Sequence, residues 1–477
     1  LHIIFEESGI RKGDKIAVCG RNSSHWGVTF LATLTYGAVI VPILHEFKAD
    51  NVHNIVNHSE AKLLFVGDVV WENLNESAMP LLEGILMMND FTLLVSRSER
   101  LTHAREHLNE MFGKKFPKNF RKEHIEYHKD QPEELAVINY TSGTTSYSKG
   151  VMLPYRSLWS NTTFAFEVLP LKAGDKIVSM LPMAHMYGLA FEFLYEFAVG
   201  CQIYFLTRMP SPKIIFQAFA EVKPNLIVAV PLIIEKIIKK SVLPKLETPT
   251  MKLLLKVPII NDKIKATVRE EMIKGFGGNF EAVIVGGAAF NQEVEQFLRM
   301  IDFPYTVGYG MTECGPIICY EDWKRFMEVK VLSPDPENVV GEIVCKGPNV
   351  MLGYYKNEEA TAQVIDKDGW LHTGDLALED AEGNITIKGR SKNMLLSASG
   401  QNIYPEEIED KLNNLPYVAE SIIVQQNDKL VGLVYPDFDE AFAHGLKNED
   451  MERVMEENRI TLNEMLPAYS QISKMKI

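Results

Sequence analysis

The sequence predicts an α/β fold with a large amino-terminal body of layered sheets and helices and a small α+β carboxyl-terminal domain. Short apolar runs rich in β-branched residues alternate with helical patterns through the first 310 residues. From about Val329 the pattern changes to strands joined by tight turns, and after Arg390 a small α+β unit begins. We therefore expect one domain over residues 1–389 and a second over 390–477, with the boundary near Gly389–Asn393.

The amino-terminal strands are nearly continuous apolar runs, which is typical of parallel strands covered on both faces. In chain order they are Lys15–Cys19, Ala38–Ile43, Lys62–Val66, Phe91–Val95, Leu135–Asn139, Lys176–Leu181, Cys201–Leu206, Asn225–Val230, Ala282–Val285 and Tyr305–Tyr309. Helical patterns lie between most of them, for example Pro212–Val222 and Gln292–Ile301. In such folds ligands bind beyond the carboxyl ends of the strands, so functional residues are expected just after each strand.

The carboxyl-terminal elements are shorter. The predicted strands are Gly341–Lys346, Trp370–Leu378 and Asn384–Lys388, followed by Met394–Ser397, Ser421–Gln425 and Leu430–Tyr435. Residues 380–384 form a predicted hairpin turn. A helix is expected over Pro405–Asn413, and an acidic helical tail follows the last strand.

The composition is that of an ordinary globular protein and excludes a disordered chain, a collagen and a small disulfide-rich scaffold. The chain has 477 residues, 46% of them hydrophobic, and a net charge of −14, which disfavours non-specific binding of nucleic acid or of anionic membranes but leaves a local basic patch open. Five cysteines without a C-x-x-C motif indicate a reducing, cytoplasmic compartment. The uncharged stretch Gly27–Leu44 is interpreted as a helix over Trp26–Tyr36, a stop at Gly37 and a buried strand, and not as a transmembrane segment. Peripheral membrane contact and the oligomeric state remain open.

The stretch Tyr140–Gly150 follows a strand, precedes a helical pattern and is rich in small hydroxyl residues. Its backbone N–H and side-chain O–H groups can converge on phosphate oxygens, and Lys149 adds a positive charge. It is not the P-loop of ATPases, because five residues separate Gly143 from Lys149 and Gly150 follows the lysine. By itself the stretch also fits a Ser/Thr-rich surface loop.

Three further segments favour a nucleotide site. Val307–Glu313 offers an aromatic ring, a hydroxyl and a carboxylate, Trp370–Asp375 ends in a carboxylate, and Lys388–Lys392 contains an arginine. A stacking ring, a carboxylate for a ribose diol, an arginine, a phosphate loop and a glutamate for Mg²⁺ together describe a nucleoside triphosphate site.

In their order and spacing these motifs resemble the adenylate-forming superfamily, which contains acyl-CoA synthetases, firefly-type luciferases and the adenylation domains of peptide synthetases. The resemblance covers essentially the whole chain and lies in Thr141–Gly150, Pro182–Gly188, Tyr309–Glu313, Gly341–Tyr355, Gly369–Asp375 and Gly389–Glu409. Val230–Ile237, Ala398–Glu409 and Leu466–Tyr469 are similar to long-chain fatty acid–CoA ligases. The resemblance implies conversion of a fatty acid, ATP and CoA to an acyl thioester, AMP and pyrophosphate.

The resemblance also implies roles for single residues. Lys149 and the loop residues Thr141, Ser142, Gly143, Thr144 and Thr145 should hold the β- and γ-phosphates. Thr312 should meet the α-phosphate and Glu313 should hold Mg²⁺.

The remaining implied roles concern adenine, ribose, the acyl group and CoA. Gly287, Ala288 and Tyr309 should frame adenine. Asp375 should bind the ribose hydroxyls with Arg390 close by, and His185 should stand near the acyl carboxylate. Gly400 should approach the pantetheine tunnel, and Lys392 should be the hinge about which the small domain turns.

Two departures from the family pattern stand out. Ser146 and Ser148 replace the usual glycine and proline of the phosphate loop, so we expect tuned ATP binding. The sequence ends at Ile477, before the lysine-rich motif that carries the family's adenylation lysine, and Lys474 and Lys476 do not match it. We expect this chain to be a fragment at both ends and a poor catalyst of adenylation, although the full-length protein need not be one.

Several weaker candidates have structural explanations. The pairs His103/His107 and His124/His128 are spaced for a helix face, but surface positions are favoured over a metal site. Cys314 is expected to be a packing residue. Trp159, Phe164 and Phe166 fit either an acyl tunnel or core packing.

The residues after His185 carry no charge until Glu192, which favours an apolar acyl chain over an amino acid. Two other functions remain open. The acyl group could be delivered to an acyl carrier protein, or the chain could bind nucleotide and acyl groups without catalysis.

Overall fold

The structure is a computed structural model that describes residues 1–141, 148–208, 210–246, 248–254, 256–320, 327–397, 400–427 and 429–477. The chain forms two compact units. The first comprises Leu1–Phe290, Phe297–Glu328 and Lys346–Ile365, and the second comprises Asn291–Gln296, Val329–Cys345 and Asp366–Ile477. The division at residues 389 and 390 stays a prediction about domains.

The strands are, in chain order, β1 (Lys15–Cys19), β2 (Val39–Ile43), β3 (Leu63–Val66), β4 (Gly84–Met87), β5 (Leu93–Ser96), β6 (Leu135–Thr141), β7 (Lys149–Pro154), β8 (Lys176–Ser179), β9 (Gln202–Phe205), β10 (Leu226–Ala229), β11 (Ala282–Val285), β12 (Tyr305–Val307), β13 (Tyr309–Gly310), β14 (Ile317–Cys319), β15 (Glu328–Leu332), β16 (Gly341–Lys346), β17 (Gly353–Tyr354), β18 (Leu371–Glu379), β19 (Ile385–Arg390), β20 (Leu395–Leu396), β21 (Asn402–Ile403), β22 (Val418–Gln426), β23 (Lys429–Pro436) and β24 (Ile472–Lys476).

The α-helices are α1 (His2–Ser8), α2 (Ser24–Tyr36), α3 (Ala49–Ser59), α4 (Asp68–Trp71), α5 (Glu99–Glu106), α6 (Leu108–Lys115), α7 (Tyr155–Val168), α8 (Met186–Leu189), α9 (Tyr195–Val199), α10 (Pro212–Val222), α11 (Pro231–Ile237), α12 (Leu243–Leu246), α13 (Pro249–Leu254), α14 (Pro258–Gly275), α15 (Gln292–Met300), α16 (Glu358–Val364), α17 (Pro405–Leu412), α18 (Phe438–Ala443) and α19 (Met451–Met465). Turns of π-helix lie at Ala190–Leu194 and Ile238–Val242.

The first unit contains an eight-stranded sheet with the order β17-β7-β6-β2-β1-β3-β4-β5. Its central strands run parallel, and β5, β7 and β17 pair antiparallel with their neighbours. Strands β2 and β3 are buried along their whole length, as their continuous apolar runs predict. Side chains such as Val41, Leu64 and Ile138 pack into one apolar core beside the sheet.

A second, three-stranded parallel sheet in this unit has the order β10-β11-β12. Ala229 pairs with Val285, and Val285 pairs with Val307. The three carboxyl ends therefore meet at one edge, where ligands of parallel sheets bind.

The predicted end of the helix at Gly37 is confirmed. Helix α2 stops there, and Gly37 takes a left-handed φ of +87° while its N–H is bonded to the carbonyl oxygens of Leu34 and Thr33. Among the described residues no helix has both the length and the apolar character required to cross a bilayer.

Several element predictions need correction. Strand β7 lies between the phosphate loop and helix α7, where the sequence predicted a direct passage into a helix. The predicted strand Tyr305–Tyr309 is interrupted at Gly308, because its two parts pair with different partners, β11 and β14. Strands β4 and β24 were not predicted.

In the second unit, β15, β16, β18 and β19 form one sheet, and β22, β23 and β24 form another. Helices α17 and α19 pack on the latter through buried residues that include Leu412, Leu462 and Ile472. The predicted turn between β18 and β19 is confirmed, with the N–H of Asp380 bonded to the oxygen of Asn384 at 3.0 Å.

Candidate functional site

The two ends of the phosphate loop lie side by side. Strands β6 and β7 are antiparallel, and Thr141 pairs with Lys149 while Tyr140 pairs with Gly150. A Cβ added to Gly150 would lie 2.9 Å from Cγ2 of Ile138 and 3.0 Å from Cζ of Tyr140, so a larger residue at this position would displace one of these side chains. The predicted phosphate ligands Ser142, Gly143, Thr144 and Thr145 and the substituted position Ser146 lie outside the described residues.

Tyr354 connects the predicted phosphate lysine to the predicted magnesium ligand. Strand β17 pairs with β7 so that Tyr354 lies opposite Val151. The Lys149 ammonium is 4.8 Å from the centroid of the Tyr354 ring, a cation–π contact. The Tyr354 hydroxyl donates a 2.8 Å hydrogen bond to Oε1 of Glu313, whose side chain is buried. An ammonium and a carboxylate thus contact the same aromatic side chain.

Hydrogen bonds from helix α7 hold the turn that carries Thr312 and Glu313. Residues Thr312–Cys314 form a 3₁₀ turn inside the β13–β14 hairpin. The buried Asn161 amide donates to the carbonyl oxygen of Cys314 at 3.0 Å and accepts from the N–H of Ile317 at 3.0 Å. The Cys314 side chain is fully buried, which agrees with a packing role.

The segment before His185 is fastened at two points. The buried Asn139 amide on β6 donates to the carbonyl oxygen of Ala184 at 2.8 Å. Asn22 accepts from the N–H of Met183 at 2.9 Å and donates to the carbonyl oxygen of Leu181 at 2.7 Å. These bonds hold the segment beside the strand that leads into the phosphate loop.

His185 caps helix α8 with its ring. Its Nδ1 accepts a 3.3 Å hydrogen bond from the N–H of Tyr187, so the neutral ring carries its proton on Nε2. Part of the ring faces solvent, and the protein atoms around the rest of it lower the pKa of His185 below its usual value. The side chain is therefore neutral at neutral pH and presents one N–H donor.

The predicted adenine residues lie at the edge of the three-stranded sheet. Gly287 and Ala288 follow β11 and are exposed, and Tyr309 begins the strand after β12. The buried Tyr187 hydroxyl lies within 3.3 Å of the carbonyl oxygens of Ala229 and Ile284 and donates between them. Tyr187 thereby ties the helix that His185 caps to this sheet edge.

The backbone conformation at position 287 favours glycine. Gly287 has a left-handed φ of +89°, and an added Cβ would lie 3.6 Å from the Tyr187 ring. A Cβ added to the preceding residue, Gly286, would lie 3.2 Å from Cζ of Tyr187. Glycines at both positions let the chain turn over the tyrosine and leave the edge open.

In the second unit, Asp375 and Arg390 form an ion pair. The residues lie opposite each other on β18 and β19, and Nε of Arg390 is 3.0 Å from Oδ1 of the buried Asp375. Thr373 orients the strand by donating to the carbonyl oxygen of Ile343 at 2.7 Å and accepting from the N–H of Asp375 at 3.1 Å. The structure thus brings the predicted ribose ligand and the predicted arginine together.

Lys392 and Gly400 are both exposed in this unit. The chain beside Lys392 is fixed by a 2.7 Å hydrogen bond from the Asn393 amide to Oε1 of Glu406 on α17. Gly400 has a φ of +78° and lies between β20 and β21, with open space around an added Cβ.

The weaker candidates resolve into surface and core positions. His103 and His107 are exposed and stack on each other, with ring centroids 4.3 Å apart. His124 and His128 do not share a helix face, since the 3₁₀ turn ends at His124. Within the described ranges no cluster of three metal-ligating side chains occurs.

The aromatic residues of helix α7 divide in the same way. Phe164 is buried and packs edge-on against Tyr320, with ring centroids 5.4 Å apart, which agrees with core packing. Trp159 and Phe166 are 43% and 52% exposed, so core packing is wrong for these two.

Sequence reasoning missed the residues that fasten the site, which are Asn22, Asn139, Asn161, Tyr187 and Tyr354. Asn139 and Asn161 did give a signal, because each is a polar residue inside an otherwise apolar pattern. Buried amides of this kind are hydrogen-bonded, and here both bond to loops that carry predicted site residues.

Comparison with known proteins identifies the family of the chain. The model of a family described as AMP-binding enzyme matches residues 4–355. The chain is 28% identical over 476 residues to long-chain-fatty-acid–CoA ligase 5 of Rattus norvegicus, covering 88% of this chain and 67% of that protein. It is 25% identical over 521 residues to the long-chain-fatty-acid–[acyl-carrier-protein] ligase AEE15, chloroplastic, of Arabidopsis thaliana, covering 91% and 70%.

The fold matches solved structures over the whole chain. The A-PCP didomain of carboxylic acid reductase from Segniliparus rugosus, in complex with AMP, superimposes with a TM-score of 0.78 at 22% identity, covering 100% of this chain and 69% of that one. Fold and family model agree, and the chain belongs to the AMP-binding enzyme family, that is, to the adenylate-forming superfamily.

Proposed function

We propose that this protein activates a long-chain fatty acid with ATP and transfers the acyl group to CoA. In the first step a carboxylate oxygen attacks the α-phosphorus of ATP. The bond from that phosphorus to the bridging oxygen breaks, and pyrophosphate leaves. In the second step the CoA thiol loses its proton, the sulfur attacks the acyl carbon, and AMP leaves.

The contact of Lys149 and Glu313 with the same tyrosine carries this proposal. The first step brings two anions together, so positive charge must neutralise the phosphates in a site that excludes water. Lys149 supplies one such charge. Glu313 offers a buried carboxylate oriented by Tyr354, and Mg²⁺ typically binds through one or two carboxylates together with substrate phosphates. The residues present therefore fit Mg²⁺, which would neutralise phosphate charge when bound.

His185 is proposed to orient the acyl carboxylate. A neutral imidazole with its proton on Nε2 can donate to one carboxylate oxygen without forming an ion pair that would weaken the nucleophile. Oε2 of the buried Glu192 accepts the N–H groups of Met180 and Leu181, and burial raises the pKa of this carboxyl group well above its usual value, so a neutral Glu192 offers no anion to the ammonium group of an amino acid. This supports an apolar acid over an amino acid as the substrate.

The second unit is proposed to supply the remaining groups. Asp375, held by Arg390, would accept the ribose hydroxyls, and Thr312 of the first unit would meet the α-phosphate. Gly400 would approach pantetheine, and Lys392 would be the hinge of the small domain. Five free cysteines are consistent with a reducing, cytoplasmic location.

Delivery to an acyl carrier protein is the second candidate. It is supported by the AEE15 relative, whose name gives a carrier protein as acceptor. Binding of nucleotide and acyl group without catalysis is the third.

A pyrophosphate-release assay distinguishes the three. The full-length protein is purified and given ATP, Mg²⁺ and fatty acids of increasing length, with CoA, with an acyl carrier protein, or with neither. We expect pyrophosphate release with long-chain acids and formation of acyl-CoA. Acylation of the carrier protein alone would support the second candidate, ATP binding without pyrophosphate release would support the third, and preference for amino acids over every fatty acid would refute the proposal.

A further inference from the structure

One exposed segment of the first unit is basic, whereas the chain as a whole is acidic. Residues 112–122, here called the basic aromatic segment, read Phe-Gly-Lys-Lys-Phe-Pro-Lys-Asn-Phe-Arg-Lys. They contain five basic residues and no acidic one, in a chain whose net charge is −14. The segment includes the end of helix α6 and the loop that follows it.

Its aromatic side chains form a cluster on the surface. The ring centroids of Phe112 and Phe116 are 5.1 Å apart, and those of Phe116 and Phe120 are 4.9 Å apart. His124 joins them, 5.3 Å from Phe116. Phe112 and Phe120 remain 43% and 50% exposed, which is costly for large apolar rings that face water alone.

The cations around this cluster are partly free. Lys114 pairs with Glu110 and Lys115 pairs with Glu6, each at 2.6 Å. Lys118, Arg121 and Lys122 form no ion pair with any residue that the structure describes. All three are exposed. Glu123 and Glu126 follow the segment and are also exposed, so the positive charge is confined to residues 112–122.

We propose that the basic aromatic segment docks the protein on an anionic lipid bilayer surface. Aromatic rings enter the boundary between headgroups and acyl chains, while adjacent lysines and arginines bind anionic headgroups. A polyanion such as nucleic acid fits less well, because its bases would stack on separate, open ring faces, whereas these phenylalanine rings pack against one another. The inference rests on this surface alone and is independent of the proposed reaction.

Vesicle sedimentation tests the proposal. The purified full chain is mixed with vesicles of phosphatidylcholine alone or with about one-third phosphatidylglycerol, at low and high salt. We expect binding only to the anionic vesicles and its loss at high salt. Replacing Lys118, Arg121 and Lys122 together by glutamine should weaken binding about 100-fold, since each cation near an anionic surface contributes about a factor of five.

A second variant and two controls make the result specific. Phe112→Ser with Phe120→Ser should also weaken binding while the charge is unchanged. Lys12→Gln, Lys367→Gln and Lys447→Gln together remove the same charge from exposed sites elsewhere and should bind nearly as the parent does. Circular dichroism checks that each variant is folded.

Three results would overturn the proposal. The first is equal binding of the parent and the segment variants to anionic vesicles. The second is binding of a single-stranded DNA oligonucleotide in place of vesicles. The third is self-association through the segment, seen as a concentration-dependent mass in lipid-free sedimentation that the phenylalanine variant abolishes.

Discussion

At the scale of single residues, the site depends on side chains that no ligand is expected to touch. Tyr354 orients Glu313, and Asn161 holds the turn on which Glu313 lies. Asn139 and Tyr187 fasten opposite ends of the stretch that contains His185. Such supporting contacts matter because a catalytic group must hold its geometry within a fraction of an ångström.

Tyr354→Phe should slow pyrophosphate release at least about tenfold. Glu313 loses the hydroxyl that donates to it, while Lys149 keeps its cation–π contact with the aromatic ring. The loss of a hydrogen bond to a charged acceptor should also cost about 2 kcal/mol of stability. Steady-state kinetics and urea unfolding measure both effects. Tyr355→Phe is the matched control, since its hydroxyl contacts the half-exposed Glu60 at 3.1 Å. Equal rates for the two variants would contradict the role given to Tyr354.

Glu196 should make stability depend on pH. Its carboxyl group is fully buried, neither oxygen has a hydrogen-bond partner among the described residues, and burial raises its pKa to about 8. Between about pH 4.5 and pH 8 the folded state keeps a proton that the unfolded state releases, so this group lowers stability as pH rises, by at most about 1.4 kcal/mol per pH unit.

Glu196→Gln should remove the part of the slope that Glu196 contributes, while Glu192, whose pKa is also raised by burial, keeps its own part. Urea unfolding of parent and variant across this range of pH measures the difference, which should grow with pH in favour of the variant. Glu449→Gln, at an exposed position, should keep the slope of the parent. A parent whose stability is flat across the range would show that Glu196 does not hold the proton.

At the scale of elements, periodicity and turn residues located most strands and the helices α2, α10, α15 and α17, and tertiary pairing decided several of the remaining strands. Strands β1, β11 and β16 and helix α10 have the predicted bounds, because each is a continuous or periodic apolar run between clear breaks. Strand β7 was missed because its residues Lys149–Pro154 carry no alternation and gain their pairing from β6 on one side and β17 on the other. Such partners are distant in sequence, so local patterns do not reveal them.

The end of helix α2 allows a matched test. Gly37→Ala should cost about 2–4 kcal/mol, since alanine is strained at a φ of +87° and its Cβ would lie 2.8 Å from Cγ of His128. His128 is itself held by Glu134 at 2.8 Å. Gly13→Ala has a similar φ of +82° but open space around the added Cβ, and should cost only about 1–2 kcal/mol. Thermal or urea unfolding gives both values, and equal costs would show that His128 moves aside freely.

At the scale of the whole molecule, ligand binding should stabilise the protein. ATP with Mg²⁺ at about 100 times its dissociation constant should add about 2.7 kcal/mol, seen as a higher melting temperature. Chelation of Mg²⁺ with EDTA should remove most of this gain. Glu313→Gln should lose the part that depends on Mg²⁺ and keep a smaller gain with ATP alone, whereas identical shifts with and without Mg²⁺ in the parent would contradict the metal site.

The sequence by itself determined the α/β class, the order of most strands and the superfamily, because these follow from local periodicity and from motifs of adjacent residues. The roles of the site residues stay predictions from the resemblance. Only the tertiary structure decided how Lys149 and Glu313 come to contact the same ring, how Asp375 meets Arg390, and which buried amides hold the loops in place. The physical reason is distance along the chain. Glu313 and Tyr354 are separated by 41 positions, and Asn139 and Ala184 by 45, so their hydrogen bonds exist only after the sheets have formed.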